Sequence, residues 1–217
     1  NQKAQLKLGR KSLKEEMLYI FHLIFHPFDG FWDLKHEKRG SIRSAFLILI
    51  ITIAAFTYQS VGTGYIFNPR QSGYVNVIGQ VVSVSVPLIL WCVANWCLTT
   101  LFEGEGSMKD IFIAACYSLA PLPLLMVPSV ILSNVLAASE GQIITLLVDI
   151  AFVWMGLLLF LGMMVTHDYS MLKNVITSIG TIVGMAFIMF LAILFSSLMT
   201  KIVGFISGII VEINYRM

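Results

Sequence analysis

The sequence predicts an all-α fold: a polytopic membrane bundle of five transmembrane helices with an N-terminal amphipathic helix lying in the membrane interface. Three observations predict it. The chain is 58% hydrophobic and 12% charged, with a mean hydropathy of +0.86. A soluble domain carries about 25% charged residues and cannot hide so many apolar side chains in one small core. Five continuous apolar runs reach the roughly 20 residues that a helix needs to cross about 30 Å of hydrocarbon, and none alternates as a barrel strand would. Finally, nine of the fourteen lysines and arginines precede the first run.

The elements follow in chain order. The opening NQKAQLKLGRKS is polar and basic. The first apolar run, MLYIFHLIF, is short, holds a histidine and lacks a small-residue cleavage site, so no cleavable signal peptide is expected. In residues 12–25, SLKEEMLYIFHLIF, helical spacing puts Leu13, Met17, Ile20, Phe21 and Ile24 on one face. Lys11, Glu15, His22 and His26 share the other, a pattern suited to the interface plane. Pro27 stops that helix, Asp29-Gly30 can supply a turn, and Phe28, Phe31 and Trp32 suit headgroup depth. KHEKR, residues 35–39, then holds the entrance of the first span.

The spans are Ser44–Val61, Val77–Leu101, Ile111–Leu136, Ile143–Val165 and Val175–Thr200. Lys3, Lys7, Arg10, Lys11, Lys14, Lys35, Lys38, Arg39 and Arg43 make the N-terminus cytoplasmic by the positive-inside bias. Five crossings then leave the C-terminus external. Lys109 and Lys173 fall inside, and Arg70 and Arg216 outside. Beyond Lys201 the apolar IVGFISGIIV (202–211) forms either an interfacial turn or a short returning segment. Two units result: residues 1–43 as a cytoplasmic anchor and 44–217 as the five-span domain.

Candidate chemistry is sparse. Cys92, Cys97 and Cys116 lie in apolar runs without a CxxC pair and read as small hydrophobes. His22 and His26, at i and i+4, could share a metal, but further ligands are wanting and no metal or other cofactor is expected. The loop LFEGEGSMKD (101–110) lacks the Lys-Ser/Thr ending of a phosphate loop. It reads as a solvated turn in which Ser107 caps the next helix, or as a docking epitope. Asp149 lies well inside the fourth span and is a functional candidate by default, unless it sits close enough to the interface to be hydrated. Asn95 suits helix-to-helix hydrogen bonding. Pro121, Pro123 and Pro128 should kink or break the third span. His167-Asp168 has no nucleophile beside it in sequence, so the chain is not expected to be an enzyme.

Two stretches carry a resemblance. HPFDGFWDLK, residues 26–35, and WCVANWCLTTLFEGEGSMKDIFIAACYSLAP, residues 91–121, are similar to the approach and core segments of bacterial members of the Ypt-interacting-protein (Yip) domain family. The resemblance covers residues 20–210. It implies a non-enzymatic five-span membrane protein. The GTPase binding of eukaryotic relatives is not carried over, because their long N-terminal domain and loop sequences are missing here. Some bacterial members are encoded near carbohydrate ABC importers, which suggests a place beside permease subunits. The expected partners are the lipid bilayer and another integral membrane protein, with no nucleic acid. Phe28, Trp32, Glu103, Glu105 and Lys109 are the expected docking residues. Small-residue pairs (Gly156 and Gly162, Gly180 and Gly184, Gly204 and Gly208) offer close helix approach. The alternative is a small self-contained transporter or channel using Asp149, with Asn95 as a second intramembrane polar residue, and the proline-broken span.

Overall fold

The computed structural model describes residues 13–68 and 76–216. Lys3, Lys7, Arg10 and Lys11, and Arg70 of the loop between the first two spans, lie outside the described residues. Among the described residues the chain is helical and carries no strand. The elements are α1 (Leu13–Phe25), α2 (Pro27–His36), α3 (Ile42–Gly62), α4 (Val77–Phe102), α5 (Met108–Ser118), α6 (Pro121–Ser133), α7 (Gly141–His167) and α8 (Met171–Arg216). Five segments are long and apolar enough to cross a membrane: α3, α4, the α5–α6 pair, α7 and α8.

Local chemistry explains the boundaries. Ser41 caps α3, its hydroxyl accepting from the Ser44 N–H at 3.2 Å while Ser44 Oγ accepts from the Ser41 N–H at 3.0 Å. Ser107 and Asp110 cap α5 in the same reciprocal way. The break in the third span falls at Leu119 and Ala120, where Pro121 takes the first position of α6. Around it the bonds tighten to three-residue spacing, Leu119 N to Cys116 O and Ala120 N to Tyr117 O. Pro128, and Pro87 in α4, are carried inside continuous helices.

Two expectations need correction. Asp29-Gly30 is not a turn, because α2 runs through it from Pro27 to His36. Gly30 is needed there for close packing: a Cβ would stand 2.9 Å from Leu23 Cα. On α1, Glu16, Leu23 and Ile24 are buried, while Leu18, Phe21 and Phe25 are exposed. Finally, residues 202–211 neither turn nor return, because α8 continues as one helix through Lys201 to Arg216.

The broken third span is the centre of the bundle. α5 and α6 pack against α3 and α7, and α5 also against α4. Ile111, Ala115, Cys116 and Tyr117 are fully buried there. Lipid tails are as apolar as leucine, so close packing and interhelical hydrogen bonds must hold such a bundle. Ala45, Ala94, Ala114 and Ala151, all buried, permit that approach. The Tyr117 hydroxyl donates to Ser44 Oγ at 2.9 Å, pinning α5 to α3. α2 seats on α7, where the Phe31 ring (1% exposed) occupies the space above Gly162. α8 packs chiefly on α4 through its first half, and every residue from Leu191 to Arg216 is exposed.

Candidate functional site

The charged end of the bundle gathers residues from four elements around the 103–107 loop. Glu103 ends α4 in the left-handed conformation, φ 50°, and Asp168 ends α7 likewise at φ 56°. Outside glycine that conformation costs about 1–2 kcal/mol per residue, less for Asp. These two reversals bring the loop and the α7–α8 turn face to face. Glycines at 104 and 106 allow the contact. A Cβ on Gly104 would run into the Tyr169 hydroxyl, and one on Gly106 would meet the His167 ring at 2.7 Å. From the other side Lys35 of α2 pairs with Glu105 at 3.1 Å.

Beneath the loop runs a buried polar chain. The Gly106 N–H donates to His167 Nδ1 at 3.3 Å, so Nε2 carries the ring proton and donates to Asn95 Oδ1 at 2.7 Å. Asn95 Nδ2 donates to Thr181 Oγ1 at 3.1 Å, and the Thr181 hydroxyl donates to Thr177 O at 2.8 Å. Each member therefore has one consistent role with a neutral imidazole. Buried polar groups left unpaired are costly, and this chain satisfies its own while joining the loop, α4, α7 and α8. Both ring nitrogens of His167 are engaged. The arrangement holds a loop in place and leaves no free base. Tyr169 stacks on His167 at 5.0 Å, Lys173 stands 4.8 Å over the Tyr169 ring, and burial raises that phenol above its ordinary pKa.

The outer surface of this end belongs to α2. Phe28 and Trp32 are both about half exposed, and Trp32 stacks on His36 with centroids 4.6 Å apart. The Tyr19 hydroxyl of α1 donates to Asp33 Oδ2 at 2.8 Å, and Arg39 pairs with the same carboxylate at 3.3 Å. Desolvation, and secondarily the bond to Asp33, raise the Tyr19 phenol above its ordinary range.

The expected site residues thus divide. Phe28, Trp32, Glu105 and, in the left-handed turn, Glu103 occupy one end of the molecule, with Lys109 exposed on the first turn of α5. Asn95 lies buried within the polar chain. Asp149 stands exposed on α7 and is not brought to Asn95. His22 and His26 stack on each other at 5.0 Å, and among the described residues no group of three His, Cys, Asp or Glu comes together. Phe31, expected at headgroup depth, is instead buried against Gly162, and sequence reasoning, which set His167 aside as non-catalytic, missed its part with Tyr169 in holding the loop. The signal available was the two-residue glycine spacing at 104 and 106, which marks close approach by something bulky.

In comparison with known proteins, the pattern of the Yip1 domain matches residues 21–210. No curated protein and no solved structure matches the chain.

Proposed function

The chain belongs to the Yip1 domain family, and from that premise we propose that it is a non-enzymatic scaffold or accessory subunit packing against a second integral membrane protein. The observation that carries this reading is α8. It runs 46 residues and exposes each residue from Leu191 to Arg216, most of them apolar. Gly204 and Gly208 have nothing within 4 Å of a built Cβ, so a partner helix can approach the backbone there. On this reading the protein belongs to the bacterial branch of the family and sits in the cell membrane. The N-terminus is cytoplasmic and the C-terminus external. Residues 1–43 act as the anchoring segment of the 44–217 domain. The permease subunits of a carbohydrate ABC importer are the partner we favour, and Phe28, Trp32, Glu103, Glu105 and Lys109 form the cytoplasmic docking face.

Mild-detergent capture of the tagged chain from its native membrane, read by mass spectrometry, tests this. A stoichiometric membrane partner is expected, and its recovery should drop when Gly204 and Gly208 are changed to leucine. Recovery as a lone, fully functional protein sinks the idea. The break at Leu119 and Ala120 also supports a second reading, a small transporter. It requires solute flux in liposomes that Asp149→Asn abolishes.

A further inference from the structure

The end of the bundle opposite the 103–107 loop holds a pocket of about 380 Å³, between the last turns of α3 and α6 and the first turns of α7. Six of the eleven residues lining it carry a side-chain oxygen: Gln59, Ser60, Thr63, Asn68, Ser129 and Thr145. None of the eleven is charged. The walls are fastened to one another. The Gly64 N–H donates to Ser133 Oγ at 2.9 Å, and Asn134 Nδ2 donates to Gly62 O at 2.8 Å, so the segment after α3 is tied to the end of α6. The Phe67 ring, an aromatic wall of the pocket, is seated over Gly141, where a Cβ would meet its Cε1 at 2.7 Å.

The existing hydrogen bonds decide what polarity this pocket presents. Thr63 Oγ1 donates to Gln59 O, Ser129 Oγ to Met126 O at 2.7 Å, and Thr145 Oγ1 to Gly141 O at 3.4 Å. A hydroxyl has one proton and two lone pairs, so these three have committed their protons to their own helices and are left as acceptors. Ser60 Oγ already donates to Phe56 O and accepts from Gln80. Asn68 Nδ2 donates to Ser60 O at 3.2 Å, which leaves Oδ1 to accept. The Gln59 side-chain amide makes no hydrogen bond among the described residues and can both donate and accept.

Acceptors therefore outnumber donors, which suits a ligand rich in donors. A cation would find no counter-charge in the lining, and an unpaired charge is costly out of water. Several hydroxyls on a neutral body satisfy both conditions. The volume lies within the roughly 300–1,000 Å³ of small-molecule sites, where aromatic walls hold the body and a few polar groups fix its orientation. We propose that this pocket binds a neutral polyhydroxylated group of monosaccharide size, supplied as a free sugar or as the glycosyl headgroup of a membrane lipid. The assignment rests on these residues alone and is independent of any partner subunit.

The test uses the full purified chain and three probes: glucose, a glucosyl diacylglycerol, and a diacylglycerol of identical chains. Saturation-transfer NMR reads glucose, and native mass spectrometry reads the lipids. A transfer signal from glucose assigns the free sugar. Preferential retention of the glucosyl lipid over the diacylglycerol, without that signal, assigns the headgroup. In either case Thr145→Val, which keeps the side-chain shape, should weaken binding about three- to tenfold, the net worth of one hydrogen bond. Thr145→Phe fills the pocket from an exposed position and should abolish sugar recognition while the thermal midpoint stays unchanged. Equal retention of the two lipids together with no glucose signal overturns the proposal. Undiminished sugar recognition by the folded Thr145→Phe variant overturns the pocket as its seat.

Discussion

At the scale of single residues, the glycines separate by what surrounds them. Gly106→Ala would drive a methyl into the His167 ring and should destabilise the protein by about 1–3 kcal/mol, as overpacking does. Gly204→Ala meets open space and should leave the unfolding midpoint unchanged or slightly raised, since alanine is the better helix former. Thermal unfolding in detergent compares the two. Asn95→Leu strands the His167 N–H and should cost about 1–3 kcal/mol. Asp149→Asn, on an exposed face, should cost nothing in the same assay. This scale was only half legible in the sequence. The spacing of Gly104 and Gly106 was visible, but their partners lie some sixty residues away, and nothing local distinguishes a loop clamped by His167 from a solvated one. Asn95 as a helix-to-helix bond could be read because a lone amide in an apolar run has few other uses.

At the scale of elements, the tests concern how α2 and α8 are held. Phe31→Ala empties the seat above Gly162 and should cost about 3–5 kcal/mol, the range for a buried phenylalanine. Limited proteolysis should then cut between α2 and α3 well before the bundle unfolds. Ending the chain after Thr200 should leave the bundle's midpoint where it was, because every residue from 191 to 216 is exposed. The elements themselves were mostly legible: apolar runs of sufficient length fixed five spans, and Pro121 marked the break in the third. The miss was α2. Its Asp29-Gly30 pair has the local chemistry of a turn, but Leu23 and α7 reward a helix, and that tertiary contact outweighs local propensity.

At the scale of the whole molecule, orientation is the property to measure. The cluster of cations before α3 predicts that a reporter fused ahead of Leu13 is active only in the cytoplasm, and one fused after Arg216 only outside. The reverse pattern would overturn the proposed orientation. The global arrangement was the least legible level. Sequence periodicity says which residues are apolar but not that α5 and α6 form the axis while α8 stays peripheral. The seating of α2 on α7 has a further effect in time. Phe31 leaves the ribosome about 130 residues before Gly162, its counterpart, so at about 5–20 residues per second α1 and α2 wait about 7–26 s for their seat. Through that interval the nascent chain presents an unsupported pair of helices at the membrane. The vulnerable moment in this protein's life is therefore its synthesis, before the fourth span has arrived.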